Sequence, residues 1–465
     1  PDAPTMSTYT SLTDADLDAM LAVIGVSSID DLFEVVPEGL RLDRPLDLPP
    51  GMAVQDVEAL LRRLSARNVS TDDEISFLGA GMYDHYVPAI IDSILARSEF
   101  LTPYTPYQPE ISQGGLQLMF EYQTAISELT ALPVSNASLY EGPSAVASAG
   151  YLAKIANGRG RLVVSRGVHP HSRETLVTVA RGYGMEVVEV PLGEDGVTDA
   201  AALADAVDDD TSAVIVQQPN FLGAVEDIAA HAEVARDAGA LAVCACDAMT
   251  LGILRPPGDA GFDIAVGEGQ PLGNRLDFGG PSFGFFAATE KHIRRMPGRI
   301  AGETTDVDGR RGWVLTLQTR EQHIRREKAT HNICTAQVLN ALAGVIYLSW
   351  LGRRGIVEIG ELMLRRADYA RRALCELPGV SPLHEAPIAR EFAVRLDADV
   401  PTVIARCAER GVNPGYALGN DYEEYPDGLL VAITERRSRE DIDRLVEVLG
   451  AAVAEAAPAG AGVRS

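Results

Sequence analysis

The stretch Leu241-Ala-Val-Cys-Ala-Cys246-Asp247 decides the fold of this chain, because six small or apolar residues run together and end on a carboxylate. A run of this length and composition is typical of a strand that is buried on both faces of a sheet. We therefore interpret Cys244 and Cys246 as small hydrophobes in a core strand. Asp247 needs a partner, since burying an unpaired charge is costly.

Four further runs of the same kind precede or follow this one along the chain. They are Arg161-Leu-Val-Val-Ser165, Met185-Glu-Val-Val-Glu-Val190, Ser212-Ala-Val-Ile-Val-Gln217 and Asp263-Ile-Ala-Val266. Stretches with helical periodicity, at residues 172–181, 199–207 and 228–238, separate them. Strands that alternate with helices predict an α/β fold with a parallel-rich sheet. Ligands of such sheets bind beyond the carboxyl ends of the strands.

The pattern predicts three regions. Residues 1–70 form a helical N-terminal region, in which Thr13-Asp-Ala-Asp16 starts the first helix and residues 56–66 form the second. Residues 71–335 form the large α/β domain. Residues 336–465 form a small α+β domain, which begins with an apolar helix at 335–351 and a charged helix at 356–377.

Composition limits the class of partner and the compartment. The chain has 465 residues, 66 Asp and Glu against 40 Lys and Arg, and a net charge of -26. This charge opposes binding to nucleic acid, and no apolar run approaches the roughly 18 residues of a membrane span. The five cysteines include no CxxC pair, so we expect neither a zinc site nor disulfides, and we expect a cytoplasmic protein.

Three positions are candidates for binding a flat, phosphate-bearing cofactor such as pyridoxal phosphate, and each has a structural alternative. The stretch Tyr140-Glu-Gly142-Pro-Ser144 is either a phosphate site at a helix start or a closely packed helix start. Asp247 either pairs with a pyridine nitrogen or caps the next helix. His169 either stacks on the cofactor ring or caps a helix. The sequence leaves these alternatives open.

Lysine chemistry has only three candidates in this chain, Lys154, Lys291 and Lys328. An enzyme of this fold class should carry its Schiff-base lysine directly after the strand at 263–266. That place is taken by Gly267-Glu-Gly-Gln270-Pro-Leu-Gly273, which contains no lysine. Lys291 begins a basic run, which usually marks a solvated helix face.

Two polar segments outside the strands are further candidates. Tyr104-Thr-Pro-Tyr107-Gln-Pro-Glu110-Ile-Ser112 is a rigid aromatic loop, which we expect to have a function because exposing such a loop is costly. The second segment, residues 318–334, is rich in charge and ends in a polar cap ahead of an apolar helix. Its alternative interpretation is a charged surface connection.

Seven long strings resemble the P-protein of the glycine cleavage system, and more closely the separate alpha chain of its two-chain bacterial form. They are Phe77-Leu-Gly-Ala-Gly-Met-Tyr-Asp-His-Tyr86, Tyr104-Thr-Pro-Tyr-Gln-Pro-Glu-Ile-Ser-Gln-Gly114, Phe120-Glu-Tyr-Gln-Thr124, Phe278-Gly-Gly-Pro281, Met296-Pro-Gly-Arg-Ile300, Gly302-Glu-Thr-Thr-Asp-Val-Asp-Gly309 and Gln322-His-Ile-Arg-Arg-Glu-Lys-Ala-Thr330. They extend over most of the chain.

The resemblance implies the fold of type I pyridoxal-phosphate enzymes in a chain that lacks the Schiff-base lysine. It implies that pyridoxal phosphate is bound by a beta chain, subunit 2, and that two such pairs associate as α2β2. It also implies the activity: the complete enzyme decarboxylates glycine and passes the aminomethyl group to the lipoyl arm of the H-protein. No catalytic residue is then expected in this chain.

The resemblance also assigns roles to residues. It implies that one group acts in trans at the partner's active site: Tyr104, Thr105, Tyr107, Glu110, Lys328, Thr330, His331 and Asn332. Thr330 is the candidate for reaching the cofactor phosphate. It implies that a second group is the relic of an ancestral cofactor pocket: Gly142, Ser144, His169, Asp247 and Gln270.

Two alternative functions remain. One is a self-sufficient pyridoxal-phosphate enzyme that uses one of the three lysines. The other is a paralogous subunit that acts on another small amino acid with its own beta chain. The second alternative is suggested by two departures from the family pattern, Asn274-Arg275-Leu-Asp277 and His331, which stands where the family has Ser.

Overall fold

The computed structural model describes residues 11–42, 44–280, 282–333 and 336–456. The chain divides into two compact units, Pro1–Asn68 and Val69–Ser465. The predicted boundary at residue 335, where the apolar helix was also expected to begin, lies outside the described residues.

The helices and strands follow in chain order. The α-helices are α1 (Asp14–Ile24), α2 (Val54–Ser65), α3 (Ala89–Leu95), α4 (Ser98–Leu101), α5 (Gln113–Thr130), α6 (Gly142–Asn157), α7 (Pro170–Gly182), α8 (Ala200–Ala206), α9 (Ile228–Asp237), α10 (Gln322–Arg325), α11 (Val338–Cys375), α12 (Val400–Ala408) and α13 (Arg439–Ala456). The strands are β1 (Ile75–Ser76), β2 (Val134–Ser135), β3 (Arg161–Ser165), β4 (Glu186–Val190), β5 (Thr211–Gln218), β6 (Leu241–Cys246), β7 (Ile264–Glu268), β8 (Gly284–Ala288), β9 (Ile300–Thr305), β10 (Arg311–Thr316), β11 (Val380–Pro382), β12 (Glu391–Leu396), β13 (Val412–Asn413), β14 (Tyr416–Ala417) and β15 (Gly428–Ala432). The five predicted strands are confirmed as β3 to β7.

A seven-stranded sheet in the order β2-β8-β7-β6-β5-β3-β4 organises the larger unit. Strands β3 to β7 are parallel, whereas β8 runs antiparallel to both β7 and β2. Along β6, alternate side chains belong to two different cores: Ala242, Cys244 and Cys246 to one, and Leu241, Val243 and Ala245 to the other. The sheet is therefore covered on both faces, and the two cysteines are core hydrophobes as predicted.

Helices cover both faces of the sheet, and because β3 to β7 are parallel, their carboxyl ends lie at one edge. Helices α6 and α7 pack on one face, and α5, α9 and the first half of α11 pack on the other. Helix α6 is the longest on its face and starts at Gly142. Its start lies beside Glu268 at the end of β7, where a ligand of this kind of sheet is expected.

A second, antiparallel sheet in the order β11-β12-β15-β14 forms the C-terminal part of the larger unit. It shares a core with α12, α13 and the second half of α11. Helix α11 is interrupted at Gly352, whose φ of 62° is left-handed. The sequence predicted two helices in this stretch, and Gly352 separates them because glycine adopts this conformation at little cost.

The N-terminal unit contains α1 and α2. Helix α1 starts directly after Thr13, as predicted, and a capping box between Thr13 and Asp16 closes its first turn. Among the described residues of this unit, Leu21 alone is buried. The apolar face of α2 is exposed, and its residues are Val54, Val57, Leu61 and Leu64. In the described part of the chain, no helix combines the length and the hydropathy needed to cross a membrane.

Candidate functional site at the carboxyl ends of the strands

A cavity of about 480 Å³ opens beyond the carboxyl ends of β5, β6 and β7, and we call it the strand-end cavity. It is lined by residues 78–83, 141–143, 245–247, Val146, His169, His171, Ser172, Gln217, Gly267, Glu268, Pro271, Gly279, Arg390 and Tyr416. Three of the residues assigned to a relic cofactor pocket, Gly142, His169 and Asp247, line this cavity together.

Asp247 is paired with an arginine that comes from the C-terminal part of the chain. Its Oδ2 lies 2.6 Å from Nε of Arg390, and its Oδ1 accepts the Met249 N–H at 3.0 Å. Arg390 is 2% exposed, and its guanidinium lies 3.5 Å from the centroid of the Tyr83 ring. Asp247 therefore caps the next turn with one oxygen and neutralises a buried cation with the other.

The ion pair belongs to a larger buried network. The Tyr83 hydroxyl donates to Glu391 Oε2 at 2.7 Å, and the Ala80 N–H donates to Glu391 Oε1 at 2.8 Å. Burial raises the pKa of Glu391 to about 6. Arg390 also contacts His85, whose Nδ1 lies 2.6 Å from Glu435 Oε2. The network joins residues 80–85 to the C-terminal sheet and closes one wall of the cavity.

His169 is held as a neutral ring at the start of α7. Its Nδ1 accepts the His171 N–H at 3.1 Å, so its Nε2 carries the proton and donates to the Ala80 carbonyl at 2.9 Å. Burial lowers the pKa of His169 to about 4. The residue therefore caps a helix, which is one of the two interpretations that the sequence left open.

Glu268, at the end of β7, occupies the start of α6. Its Oε2 accepts the Gly142 N–H at 2.9 Å, and its Oε1 accepts the Gln270 N–H at 2.9 Å and the Ser282 hydroxyl. Glu141 accepts the Ser144 N–H at 2.9 Å and completes a capping box. Both first-turn amides therefore already bond to carboxylates of the protein.

Ser144 and Gln270 are not among the residues that line the strand-end cavity. Ser144 follows Gly142 by two positions, which rotates it about 200° around the helix axis, and its hydroxyl donates to the Glu141 carbonyl. Gln270 is buried, and its amide bonds to both the N–H and the carbonyl of Tyr83. Gln270 therefore fixes residues 82–84 against the sheet.

Ser144 instead lines a second cavity of about 400 Å³, which we call the helix-side cavity. It lies between α6, α7, residues 295–297 and residues 330–333, and it is rich in hydroxyl groups. Thr330, His331 and Asn332 line it together. The Thr330 hydroxyl and both ring nitrogens of His331 are buried without a hydrogen-bond partner. Burial, with Arg320 and Arg299 nearby, lowers the pKa of His331 to about 4.

The loop at residues 104–112 is tied to other elements by Tyr107. The Tyr107 hydroxyl donates to Glu321 Oε2 at 3.2 Å and accepts from Arg299 Nη2 at 3.0 Å. Its ring packs edge-on against His323. The other predicted residues near these segments differ in exposure: Tyr104, Glu110 and Lys328 are exposed, and Thr105 is half-buried. Tyr104 lines a third cavity, of about 430 Å³, with α5 and α11.

Several residues that shape the site escaped the sequence reasoning. Glu268 had a signal, since it is a carboxylate at the end of a buried strand, as Asp247 is. Arg390 and Glu391 had no such signal, because they lie more than 140 positions after Asp247 and nothing in the local sequence links them to it. Arg299, which is buried beside Tyr107, lies within a string that was used only for the resemblance.

Two solved structures with low sequence identity share this fold. A sphingosine-1-phosphate lyase of Burkholderia pseudomallei gives a TM-score of 0.66 at 16% identity, over 90% of this chain and 95% of that chain. A cysteine desulfurase of Escherichia coli gives a TM-score of 0.62 at 16% identity, over 83% and 96%. At this identity the likeness concerns the fold alone. The fold is that of type I pyridoxal-phosphate enzymes.

Closer relatives define the family. The sequence matches the family described as glycine cleavage system P-protein over residues 7–449. A probable glycine dehydrogenase (decarboxylating) subunit 1 of Moorella thermoacetica is 49% identical over 95% of this chain and 99% of its own length. One of Geobacillus kaustophilus is 47% identical over 95% and 98%. A crystal structure of glycine decarboxylase (P-protein) of the glycine cleavage system, in inhibitor-bound form, gives a TM-score of 0.86 at 43% identity, over 96% of this chain and all of that chain. This chain belongs to the glycine cleavage system P-protein family.

Pyridoxal phosphate, which the fold implies, does not fit the strand-end cavity of this chain. The three lysines are not among the described residues that line it: Lys154 bonds to the Tyr183 carbonyl, Lys291 pairs with Asp263, and Lys328 is exposed. The start of α6 holds Glu268, and Asp247 is paired with Arg390. The Schiff-base lysine is therefore missing, and the start of α6 and Asp247, which would bind the phosphate and the ring nitrogen, already have partners within the protein.

Proposed function

We propose that this chain is the alpha subunit of a two-chain glycine decarboxylase and is not catalytic alone. In this proposal a beta chain binds pyridoxal phosphate, decarboxylates glycine and passes the aminomethyl group to the lipoyl H-protein. The observation that carries the proposal is the strand-end cavity. It has no lysine among its lining residues, Glu268 occupies the start of α6, and Arg390 is paired with Asp247. The names of the relatives, each called a subunit 1, support it.

We infer that the partner is obligate and that the assembly is a cytoplasmic α2β2. The N-terminal unit supports this proposal, because Leu21 is the one buried residue among its described residues, while the apolar face of α2 is exposed. A domain of about 60 residues is marginally stable even with a complete core, and one buried residue among those described does not make such a core. An obligate interface of 2,000 Å² or more would cover such faces.

We also infer that two segments act in trans at the partner's active site. These are the loop at residues 104–112 and the segment at residues 328–332. The bonds of Tyr107 to Arg299 and Glu321 support this proposal, because they hold the loop in one position and Arg299 also lies near His331 of the second segment. The unpartnered Thr330 hydroxyl and His331 ring agree with a site that a partner completes.

The proposed function is tested by carboxyl exchange between bicarbonate and glycine. We expect exchange when this chain is mixed with its beta chain and the lipoyl H-protein, and none when the chain is assayed alone with pyridoxal phosphate. Exchange by this chain alone, or a lysine adduct fixed by borohydride, contradicts the proposal and favours a self-sufficient enzyme. Decarboxylation of another small amino acid in place of glycine favours the paralogous subunit.

The paralogous alternative rests on His331, because the other departure lies elsewhere. Arg275 forms an exposed, bidentate ion pair with Asp92 at 2.7 and 2.8 Å. Asn274 bonds to the carbonyls of Leu272 and Asn340. These contacts are ordinary surface and packing interactions. His331 lines the helix-side cavity, so it is the departure that can alter a shared pocket.

Tyr104→Phe tests the trans assignment. We expect turnover by the complete enzyme to fall about 5- to 100-fold, since losing a polar contact in a closed pocket costs on the order of 1–3 kcal/mol. The melting temperature of this chain should not change, because Tyr104 is 78% exposed in it. Steady-state exchange kinetics and a thermal melt measure the two quantities.

Tyr369→Phe is the matched control, because it also removes one tyrosine hydroxyl, here bonded to Asp443 in the C-terminal part of the chain. We expect full turnover from this variant. Equal kinetics for the wild type and for Tyr104→Phe would show that the loop has only a structural role.

A further inference from the structure

The carboxylate of Glu268 occupies the place where a helix start would hold a ligand anion. Three donors converge on it: the N–H groups of Gly142 and Gln270, each at 2.9 Å, and the Ser282 hydroxyl. They come from α6, from the turn after β7 and from the segment before β8. A carboxylate with three donors from three segments is bound as an anionic ligand would be.

Helix α6 gives this position its preference for negative charge. The helix has 16 residues, and its dipole and its first-turn amides, which have no partner within the helix, favour an anion at the start. The approach is close, because a Cβ atom placed on Gly142 would lie 3.1 Å from the Glu268 nitrogen. The glycine thus lets the helix start pack directly against the end of β7. A second anion at this amide would meet the Glu268 carboxylate at contact distance.

The hydrogen bonds to Glu268 offset part of the cost of burying its carboxylate. Burial raises the pKa of the Glu268 carboxyl, while the bonds from Ser282, Gly142 and Gln270 act in the opposite direction. Glu141, which also lines the cavity, is a second carboxylate within the same turn. The start of α6 therefore presents carboxylates, and not free amides, to anything that enters the strand-end cavity.

On the opposite side of the same cavity, the carboxylate of Asp247 also already has a partner within the protein. Asp247 would be free to pair with a protonated ring nitrogen if it had no other partner. Instead its Oδ2 lies 2.6 Å from Arg390 Nε. A bound pyridine ring would have to displace a buried arginine that also packs on the Tyr83 ring at 3.5 Å.

We propose that Glu268 is a built-in anion that replaces a ligand phosphate at the start of α6, so that the strand-end cavity rejects phosphate-bearing cofactors by charge. The lack of a lysine is then one of two independent barriers. Restoring a lysine near the end of β7 does not restore binding while Glu268 remains. The proposal concerns this chain's own cavity and holds whatever the partner subunit does.

Glu268→Ala tests the proposal on the full chain, with pyridoxamine 5′-phosphate as the probe. This probe carries the phosphate and the pyridine ring but forms no Schiff base, so no lysine is needed. We expect no saturable binding by the wild type up to millimolar concentration. We expect Glu268→Ala to bind at least tenfold more tightly, because the donors on Gly142, Gln270 and Ser282 become free. Titration calorimetry measures the binding, and inorganic phosphate should compete.

Glu186→Ala is the matched control, because it removes one exposed carboxylate at the start of β4, where Glu186 pairs with Arg161. It changes the net charge equally and should gain no binding. Glu268→Gln keeps the side-chain volume and removes the charge, and we expect a smaller gain, of at least threefold, from a protein that melts like the wild type. Saturable micromolar binding by the wild type, or a folded Glu268→Gln with no gain, would overturn the proposal.

Discussion

Arg390→Leu is expected to lower the free energy of unfolding by about 3–5 kcal/mol, the cost of leaving a buried charge without its partner. Arg390 is 2% exposed, and it faces Asp247, Tyr83, His85 and Glu391. Leucine fills part of the space but leaves the buried Glu391 and the partly buried Asp247 without a cation. Chemical denaturation followed by circular dichroism measures the change.

Arg395→Leu in β12, the strand that begins directly after Arg390, provides the matched control. Arg395 pairs with Asp427 at 2.9 Å, but both side chains are more than one third exposed, so this pair should contribute about 0–1 kcal/mol. Adding Asp247→Asn to Arg390→Leu should restore part of the loss, because it removes one of the unpaired charges. Equal losses from Arg390→Leu and Arg395→Leu would show that the buried network does not stabilise this fold.

Gly223→Ala is expected to destabilise the chain by about 2–5 kcal/mol. Gly223 has a φ of +83°, and a Cβ atom there would lie 2.1 Å from the Glu391 carbonyl oxygen. The left-handed conformation costs alanine about 1–2 kcal/mol, and forcing an extra carbon into a packed site costs about 1–3 kcal/mol more. The clash is with backbone at the start of β12, so it also displaces Arg390. A thermal melt measures the loss.

Gly182→Ala is the control for this substitution. Gly182 ends α7 with no atom near its Cβ position and without a left-handed φ. Alanine there should change stability by no more than about 1 kcal/mol, in the favourable direction. If Gly223→Ala and Gly182→Ala have the same melting temperature, the contact between Gly223 and Glu391 does not constrain the structure.

Local pattern explains why β3 to β7 were predictable. Each is a short run between helical stretches, and burial on both faces keeps the central strands almost free of polar residues. The edge strand β4 is the exception, because Glu186 and Glu189 are exposed in it. Strands β2 and β14 have two residues each, too few to produce a periodic signal. The hairpin of β9 and β10 also lacks the signal, because most of its residues are only partly buried or exposed.

A residue of the candidate site was predictable only where its own position, at the end of a strand or the start of a helix, was enough to place it. Gly142, His169 and Asp247 each follow or precede a strand or helix end, so the rule about strand ends places them together. Ser144 was grouped with Gly142 by closeness in sequence, yet residues two apart lie on opposite sides of a helix. Gln270 follows a strand end as well, but its amide is consumed by the backbone of Tyr83.

The sequence by itself determined the α/β sheet, the edge at which its ligands bind, the absence of a lysine after β7 and the family resemblance. These properties depend on residues that are close together along the chain. Only the tertiary structure decided which groups are free to act. Arg390 reaches Asp247 from the position just before β12, and Ser282 and Gly142 meet on Glu268 from two different segments. Charge pairing acts through space, so groups far apart in sequence decide whether a pocket accepts a ligand.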